Sequence, residues 1–386
     1  MEDHTWMPKD FQYRETLEFK RGLDKIGDST NIWSIAKSTK TFQNSSPSTT
    51  CPNCTDSSSP ESLGDESSTE DSMARNRLAD DDFQSLLTME KRFRDGEKVD
   101  EVNLARKIVA LVRLSPESAN QFVEALEDRS ADDYFFLSVL TALAESDHEA
   151  GQLAMTRLLD ERIDDQDSVR SILNAYVLTK HPTPILFDSA SRNYHSPKTT
   201  KIRRSAGYAY ASVAGILGGD RAKAVASELI DSYWASQTDE ERYYYLSLIG
   251  NLGSLETLPF LRTLMEKGVP RIQNTAIKEL RLINDTSIDD LLDELLTVKQ
   301  REDWAASALA AMSVRPITPR TLSSYESCLK RNEIGLNNQI ECLDRLWVNS
   351  PDRAALATFL KSLLDSKTPK ALRNAINNYL EHYKRV

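Results

Sequence analysis

Residues 243–283, YYYLSLIGNLGSLETLPFLRTLMEKGVPRIQNTAIKELRLI, contain three short apolar patterns separated by two breaks. In the first two patterns, apolar residues recur at every third position: Leu246, Ile249 and Leu252, then Leu258, Leu261 and Leu264. This spacing is typical of an α-helix that buries one face. Gly253 and Gly268 fall at the breaks, where glycine commonly ends a helix. The segment therefore predicts three helices separated by two breaks.

The same plan recurs from about residue 81 to residue 386, where helical patterns follow one another in pairs. We expect the first helix of each pair to begin near residues 102, 132, 166, 200, 241, 270, 302, 334 and 369. A spacing of roughly 30–40 residues is typical of an α-solenoid, in which each helical pair buries its apolar face against its neighbours. The sequence thus predicts an all-α fold, an α-α superhelix of HEAT-like repeats over residues 81–386.

Two different segments precede these repeats. Residues 1–43 include FQYRETLEF (11–19), whose apolar and polar residues alternate, and NIWSIAKSTKTF (31–42). This alternation predicts a short β-hairpin. Residues 44–80 are rich in Ser and Thr and carry almost no apolar side chains. Such a segment buries too little apolar surface to offset the entropy lost on ordering, so we expect a disordered linker.

Charge and hydropathy argue against two classes of function. The 386-residue chain has a formal net charge of -11 and a pI near 5.2, whereas general nucleic-acid binding needs a basic surface. No apolar run approaches the roughly 20 residues that span a bilayer, so we expect no integral membrane segment. The first residues, MEDHTWMPKDFQY, show neither the basic n-region nor the apolar h-region of a signal peptide.

No catalytic, cofactor-binding or metal-binding pattern is visible in the sequence. The five histidines are isolated from one another, and neither HExxH nor GxSxG occurs. Cys51 and Cys54 form a CxxC without the second pair of ligands that a zinc site would need. We therefore expect a protein that is not an enzyme and that carries no cofactor and no metal.

Cys328 and Cys342 fall on two helices that we expect to be adjacent and antiparallel, joined near Asn332. Counting from that turn at about 1.5 Å per residue places the two cysteines roughly 5 Å apart in height, which is awkward for a disulfide. We therefore expect two buried thiols.

Two charged segments and a run of aromatic residues are candidates for a binding surface. Residues 160–168 are acidic and residues 198–205 are basic, and we expect each to be solvated surface or a patch for a partner or a lipid headgroup. Three consecutive tyrosines cannot all face the core from one helix. The candidate binding surface consists of Arg203, Arg204, Tyr243, Tyr244 and Tyr245.

One stretch, ILNAYVLTKHPTPILFDSASRNYHSPKTTKIRRSAGYAYASVAGIL (172–217), contains a Thr-x-x-Pro-Thr turn, a Ser-Pro-Lys loop and a helix rich in small residues. The residues at those places are Thr179, Pro182, Thr183, Ser196, Pro197 and Lys198. It resembles the helical, lipovitellin-like domain of the large lipid transfer proteins: vitellogenin, apolipoprotein B and the microsomal triglyceride transfer protein. LIGNLGSLETLPFL (248–261) and PRIQNTAIKELR (270–281) are also similar to segments of that domain.

In that family, the superhelix arches around β-sheets that hold lipid and follows a β-barrel that engages partners. The resemblance implies that residues 1–43 are a remnant of the barrel, while no segment is expected to form the lipid-holding sheets. We therefore expect a non-enzymatic scaffold that binds a protein partner. Two alternatives stay open: lipid binding and transport, or a HEAT-repeat adaptor unconnected with lipid. We expect a cytoplasmic location if the chain is complete, and a secreted or periplasmic one if it is a fragment.

Overall fold

The structure is a computed structural model that describes residues 10–21, 24–36, 66–146, 148–297, 301–331, 334–364 and 368–385. The chain divides into two compact units, Met1–Glu61 and Ser62–Val386. The paired cysteines Cys51 and Cys54, and residues 44–65 of the expected linker, lie outside the described residues.

The first unit contains two antiparallel strands, β1 (Asp10–Arg21) and β2 (Asp24–Ala36). Phe11 lies opposite Ile35, and Tyr13 lies opposite Trp33. The second strand begins seven residues before the segment that the alternation predicts, because Asp24–Thr30 pairs with β1 although its residues are mostly polar. The relation of these strands to a β-barrel stays a prediction.

The second unit is helical throughout the residues that the structure describes. Its nineteen α-helices are α1 Glu66–Leu78, α2 Phe83–Arg94, α3 Glu101–Leu114, α4 Ser118–Glu124, α5 Tyr134–Glu145, α6 Glu149–Glu161, α7 Gln166–Leu178, α8 Pro184–His195, α9 Thr200–Leu217, α10 Gly219–Ala235, α11 Asp239–Leu252, α12 Leu258–Lys267, α13 Pro270–Lys278, α14 Thr286–Thr297, α15 Glu302–Met312, α16 Pro319–Leu329, α17 Leu336–Asn349, α18 Arg353–Ser362 and α19 Lys370–Arg385. Short 3-10 segments lie at Leu255–Thr257 and Glu279–Leu282.

These helices pack in two layers. The odd-numbered helices from α3 to α19, called the A helices here, each pack against the next A helix. Each even-numbered helix from α4 to α18, a B helix, packs on a neighbouring A helix. The A helices begin at residues 101, 134, 166, 200, 239, 270, 302, 336 and 370, within two residues of the predicted starts. The all-α, solenoid-like character of this unit is therefore confirmed.

The apolar stripes of the helices form one continuous core. Leu246, Leu252 and Leu261 are all buried in it. Polar residues start the helices: at α11, the Thr238 side chain accepts from the amide of Glu241, and the Glu241 side chain accepts from the amide of Thr238. Gly253 ends α11 in the left-handed conformation with a φ of 58°, which glycine adopts most easily. Among the described residues, no helix is both long and apolar enough to cross a membrane.

Helix α1 corrects the expected boundary of the disordered linker, because residues 66–78 are helical. The helix packs on α3 through the buried Ala74. Arg113 on α3 forms ion pairs with Glu70 (2.7 Å) and Asp71 (2.8 Å). Leu78, the last residue of the helix, also packs against the core. A helix held by ion pairs and two apolar residues shows almost no apolar stripe in its sequence, which explains why its composition suggested disorder.

The expectation of two buried thiols is wrong, because Cys328 and Cys342 form a disulfide with their Cα atoms 6.6 Å apart. Both side chains are fully buried. The estimate of a separation of about 5 Å along the helix axes assumed that the chain reverses direction at a single point. Instead, the start of α17 lies beside the end of α16: the Cys328 sulfur is 3.7 Å from the carbonyl of Asn338, and the Gln339 side chain donates to the carbonyl of Arg331 (2.8 Å). This overlap brings Cys342 within reach of Cys328.

Candidate binding surface

The N-terminal ends of the A helices are joined to one another by polar and aromatic contacts, and we call this side of the unit the N-terminal edge. Its links are Tyr134 to the carbonyl of Glu101, Lys198 to Asp164, Arg204 to Glu240, Arg271 over the ring of Tyr243, Arg301 to Gln273, and Asn338 to the carbonyl of Glu302. Each link joins residues of successive repeats, so the edge is fixed by side chains about one repeat apart in sequence.

The candidate residues lie on this edge, but they do not form one group. Arg203, Arg204, Tyr244 and Tyr245 line a shallow cleft of about 110 Å³ between α9 and α11. Tyr243 lies instead under the guanidinium of Arg271, which is 4.4 Å from its ring centre. The structure therefore brings four of the five residues together and assigns the fifth to the next repeat.

Tyr244 is the centre of the cleft. Its hydroxyl lies 3.2 Å from the carbonyl of Arg203 and 3.4 Å from that of Arg204, and donates to these oxygens. Its ring packs edge-on against Tyr208 and tilted against Tyr245. Burial, with a smaller contribution from nearby tyrosines, raises the pKa of Tyr244 well above its usual value. The phenol is therefore neutral and acts as a donor that fixes α11 on α9.

Arg204 and Arg203 differ in how far they are already engaged. The Arg204 guanidinium is 2.5 Å from the Glu240 carboxylate, and this hydrogen bond lowers the pKa of Glu240. Arg203 lies over the ring of Tyr194, 5.4 Å from its centre, and has no ion pair among the described residues. Both arginines are exposed. Arg203 is thus the cation on this surface that is most available to an acidic group of another molecule.

The acidic and basic segments that stand out in the sequence pair with each other in the fold. Lys198 binds Asp164 at 2.6 Å, and Arg192, just before the basic segment, lies 3.2 Å from Asp160. The two segments belong to successive repeats, so their charges meet across the repeat boundary. Some charged side chains of each segment therefore form ion pairs between repeats.

His195 is the last residue of α8 and contacts Glu228 on α10. Its Nε2 is 2.9 Å from the Glu228 carboxylate, and its Nδ1 is 2.8 Å from the carbonyl of Ser191. The hydroxyl of Tyr210 donates to the other oxygen of Glu228. The sequence carried no local signal for this cluster, because Glu228 is 33 residues from His195.

The cluster does not have the geometry of a catalytic triad. Ser191 Oγ is 3.3 Å from His195 Nδ1, but the closer backbone carbonyl on that nitrogen can only accept a hydrogen bond. The nearest partner of Nδ1 is therefore a backbone carbonyl and not the serine hydroxyl from which the base of a triad takes a proton. Among the residues that the structure describes, no group of three His, Cys, Asp or Glu side chains could hold a metal ion.

The Thr-x-x-Pro-Thr turn between α7 and α8 is held by one buried side chain. Gln152 on α6 donates to the carbonyl of His181 (2.9 Å), and its own carbonyl oxygen accepts from the amide (2.7 Å) and the hydroxyl (2.8 Å) of Thr183. The Gln152 side chain is almost completely buried. The turn thus has a structural role in fixing where α8 begins.

No protein-family model matches the chain, and no curated protein matches it. The resemblance to the large lipid transfer proteins therefore stays a prediction.

Proposed function

We propose that the chain is a non-enzymatic helical-repeat scaffold that binds a protein partner through the cleft between α9 and α11. A superhelix related to the helical domain of the large lipid transfer proteins is part of this proposal. The observation that carries the proposal is the grouping of Arg203, Arg204, Tyr244 and Tyr245 at one exposed cleft. Arginine and tyrosine are enriched at protein interfaces, where they contribute much of the binding energy.

The dimensions of the cleft favour a protein surface over a small molecule. Its volume of about 110 Å³ is well below the roughly 300–1,000 Å³ of typical small-molecule sites. A side chain such as Asp or Glu from a partner would fit between Arg203 and the tyrosine rings and would gain a charge-assisted hydrogen bond.

Lipid binding, the second candidate, is supported by the resemblance alone. An acyl chain needs an apolar cavity, whereas the apolar residues of the helices are used in the core between the layers. A depression of about 450 Å³ on α17 is large enough. Five of its seven lining residues are polar, so it does not suit an acyl chain.

Affinity purification of the full chain from its native cells tests the proposal. Proteins that bind the cleft should be recovered with the wild type and lost with Arg203→Glu, because a carboxylate would repel the acidic group that Arg203 is proposed to bind. Arg157→Glu is the matched control, since Arg157 is also exposed but lies on α6. Equal recovery with all three proteins would contradict the proposal. One phospholipid or triglyceride per purified chain, measured by mass spectrometry after extraction, would favour the lipid carrier instead.

A further inference from the structure

An exposed asparagine lies in the loop just before α14. Asn284, Asp285 and Thr286 form the pattern Asn-x-Thr, in which the asparagine side chain can accept an N-linked oligosaccharide. Two further matches to the pattern begin at Asn44 and Asn53, outside the described residues. Within the part of the chain that the structure describes, Asn284 is therefore the one asparagine that the pattern selects.

The fold holds this loop in place and leaves the acceptor side chain exposed. The buried Arg315 donates to the carbonyl of Ile283 at 2.5 Å and to that of Asp285 at 3.2 Å, on either side of Asn284. Asn284 and Thr286 are both exposed, and among the described residues neither side chain has a hydrogen-bond partner. An oligosaccharide on Asn284 would therefore extend into solvent without breaking a hydrogen bond of the fold.

The disulfide is a second, independent observation, because it depends on the environment in which the chain folds. Cys328 and Cys342 are both fully buried, and their bond joins α16 to α17 inside the core. Structural disulfides form in oxidising compartments such as the lumen of the endoplasmic reticulum, and they are rare where thiols are kept reduced. Asn-x-Thr sequences are glycosylated in proteins of the same secretory route. The disulfide and the exposed Asn-x-Thr loop therefore indicate one compartment.

We propose that Asn284 carries an N-linked oligosaccharide, added in an oxidising compartment of the secretory route. The amide nitrogen of Asn284 attacks the anomeric carbon of a lipid-diphosphate-linked oligosaccharide, the co-substrate of the cell's transferase. A C–N bond forms and the bond from that carbon to the diphosphate oxygen breaks, so that the lipid diphosphate leaves. The amide proton passes to a base of the transferase. The inference goes beyond the proposed scaffold function, because it assigns a covalent modification to a different part of the surface.

The modified loop lies at the other end of α11 from the candidate cleft. Leu282, just before the loop, lies beside the end of α11, because a Cβ on Gly253 would be 2.7 Å from the carbonyl oxygen of Leu282. Tyr244 and Tyr245 of the cleft lie about 12 Å or more from Gly253 along the axis of α11. The oligosaccharide on Asn284 is thus attached away from the cleft, and the two proposals can be tested separately.

The full chain purified from its native cells provides the test. Peptide N-glycosidase converts a glycosylated asparagine into aspartate, and in heavy-oxygen water it leaves a mass label on that residue. We expect the tryptic peptide that contains Asn284 to carry the label, and to lack it when the enzyme is omitted. Thr286→Ala should lose the label although Asn284 is still present, whereas Thr286→Ser keeps the pattern and should retain it. The wild type should also migrate more slowly than Asn284→Gln on a denaturing gel.

Two results would overturn the inference. An unlabelled Asn284 in the native protein would exclude the modification, and labels confined to the two other matching asparagines would assign glycosylation to a different segment. Free thiols at Cys328 and Cys342, found by alkylation of the native protein before reduction, would contradict the oxidising compartment. Neither result bears on the cleft, which the recovery of partners with Arg203→Glu tests by itself.

Discussion

The buried Gln152 side chain forms hydrogen bonds with three groups of the turn at once, so its replacement separates packing from polarity. Gln152→Leu should lose the hydrogen bonds to the His181 carbonyl and to the Thr183 amide, each of which contributes about 0.5–1.5 kcal/mol. Gln152→Glu keeps the acceptor for Thr183 and loses the donor to His181. Urea unfolding at neutral pH should therefore show a lower free energy of unfolding for both variants than for the wild type. A free energy of unfolding for Gln152→Leu that lies within about 0.5 kcal/mol of the wild-type value, the size of a neutral surface change, would show that the turn does not need this side chain.

The Arg204–Glu240 ion pair predicts a specific pH dependence. The hydrogen bond from Arg204 lowers the pKa of Glu240 from its ordinary value of 4.5. The pair therefore stabilises the fold above that ordinary value, and the contribution is lost as the pH falls through the lowered pKa of the folded state. In a carbon-detected NMR titration, Arg204→Ala should return the Glu240 pKa towards 4.5. Arg203→Ala is the control and should leave it lowered.

Single residues were the level at which the sequence was least informative. The sequence singled out Tyr243, Tyr244 and Tyr245 because they are consecutive, but it could not show that Tyr243 belongs with Arg271 of the following repeat. Nor could it pair Arg204 with Glu240, which is 36 residues away. Such pairings depend on how far one helix slides along the next, and that register is set by packing between the repeats.

At the scale of helices, two glycines on α9 control how closely α11 approaches. A Cβ on Gly207 would lie 2.1 Å from the hydroxyl of Tyr244, whereas a Cβ on Gly215 would lie 1.8 Å from a backbone oxygen of Leu252. Both alanine variants should be less stable by about 1–3 kcal/mol. Tyr244→Phe should recover part of the loss in Gly207→Ala, because it removes the clashing hydroxyl. Tyr244→Phe should recover none of the stability lost in Gly215→Ala, because there a whole helix end must move. Thermal unfolding of the two double variants measures this difference.

The disulfide between α16 and α17 predicts a measurable contribution to stability. Its cysteines are 14 residues apart, and closing a loop of that size stabilises a fold by about 3 kcal/mol through the unfolded chain. The double variant Cys328→Ala and Cys342→Ala should lose about this much in guanidinium unfolding. Reductant should destabilise the wild type and leave the double variant unchanged. A non-reduced digest that yields the two peptides separately would contradict the disulfide.

Helices with an apolar stripe could be located from the sequence, whereas helices held in other ways could not. Leu258, Leu261 and Leu264 predict α12 directly. Helix α1 was not predicted from the sequence, because its composition is polar and ion pairs with Arg113 stabilise it. The disulfide was not predicted because the overlap of α16 with the start of α17 depends on the path of the connecting chain. An estimate from the number of residues assumes that the chain reverses at a single turn.

At the scale of the whole molecule, the two-layer arrangement predicts that damage in one repeat spreads to its neighbours. Leu261 on α12 is fully buried, so Leu261→Ala should cost about 2–5 kcal/mol. In a stack whose units are stabilised by their neighbours, hydrogen exchange should speed up in α11 and α13 as well as in α12. Faster hydrogen exchange in α12 alone would contradict this coupling. So would a decrease of less than about 0.5 kcal/mol in the free energy of unfolding, which is a typical effect of a surface substitution.

The repeat plan was the part of the molecule that the sequence predicted best. The A-helix starts follow from the spacing of apolar stripes, which is a property of the chain itself. The candidate cleft could be predicted only as a set of residues on two helices, since its shape needs the distance between α9 and α11.

The links of the N-terminal edge have a consequence for changes in the number of repeats. Arg204 binds Glu240 across 36 residues, and Arg301 binds Gln273 across 28. If recombination removed or duplicated one whole repeat, the two A helices brought together at the new junction would still carry side chains of similar kinds at the positions that link successive repeats. Deleting a single residue inside an A helix would instead turn every later side chain of that helix by about 100°. Over evolutionary time, this chain should therefore gain or lose length in whole repeats and resist small deletions within its helices.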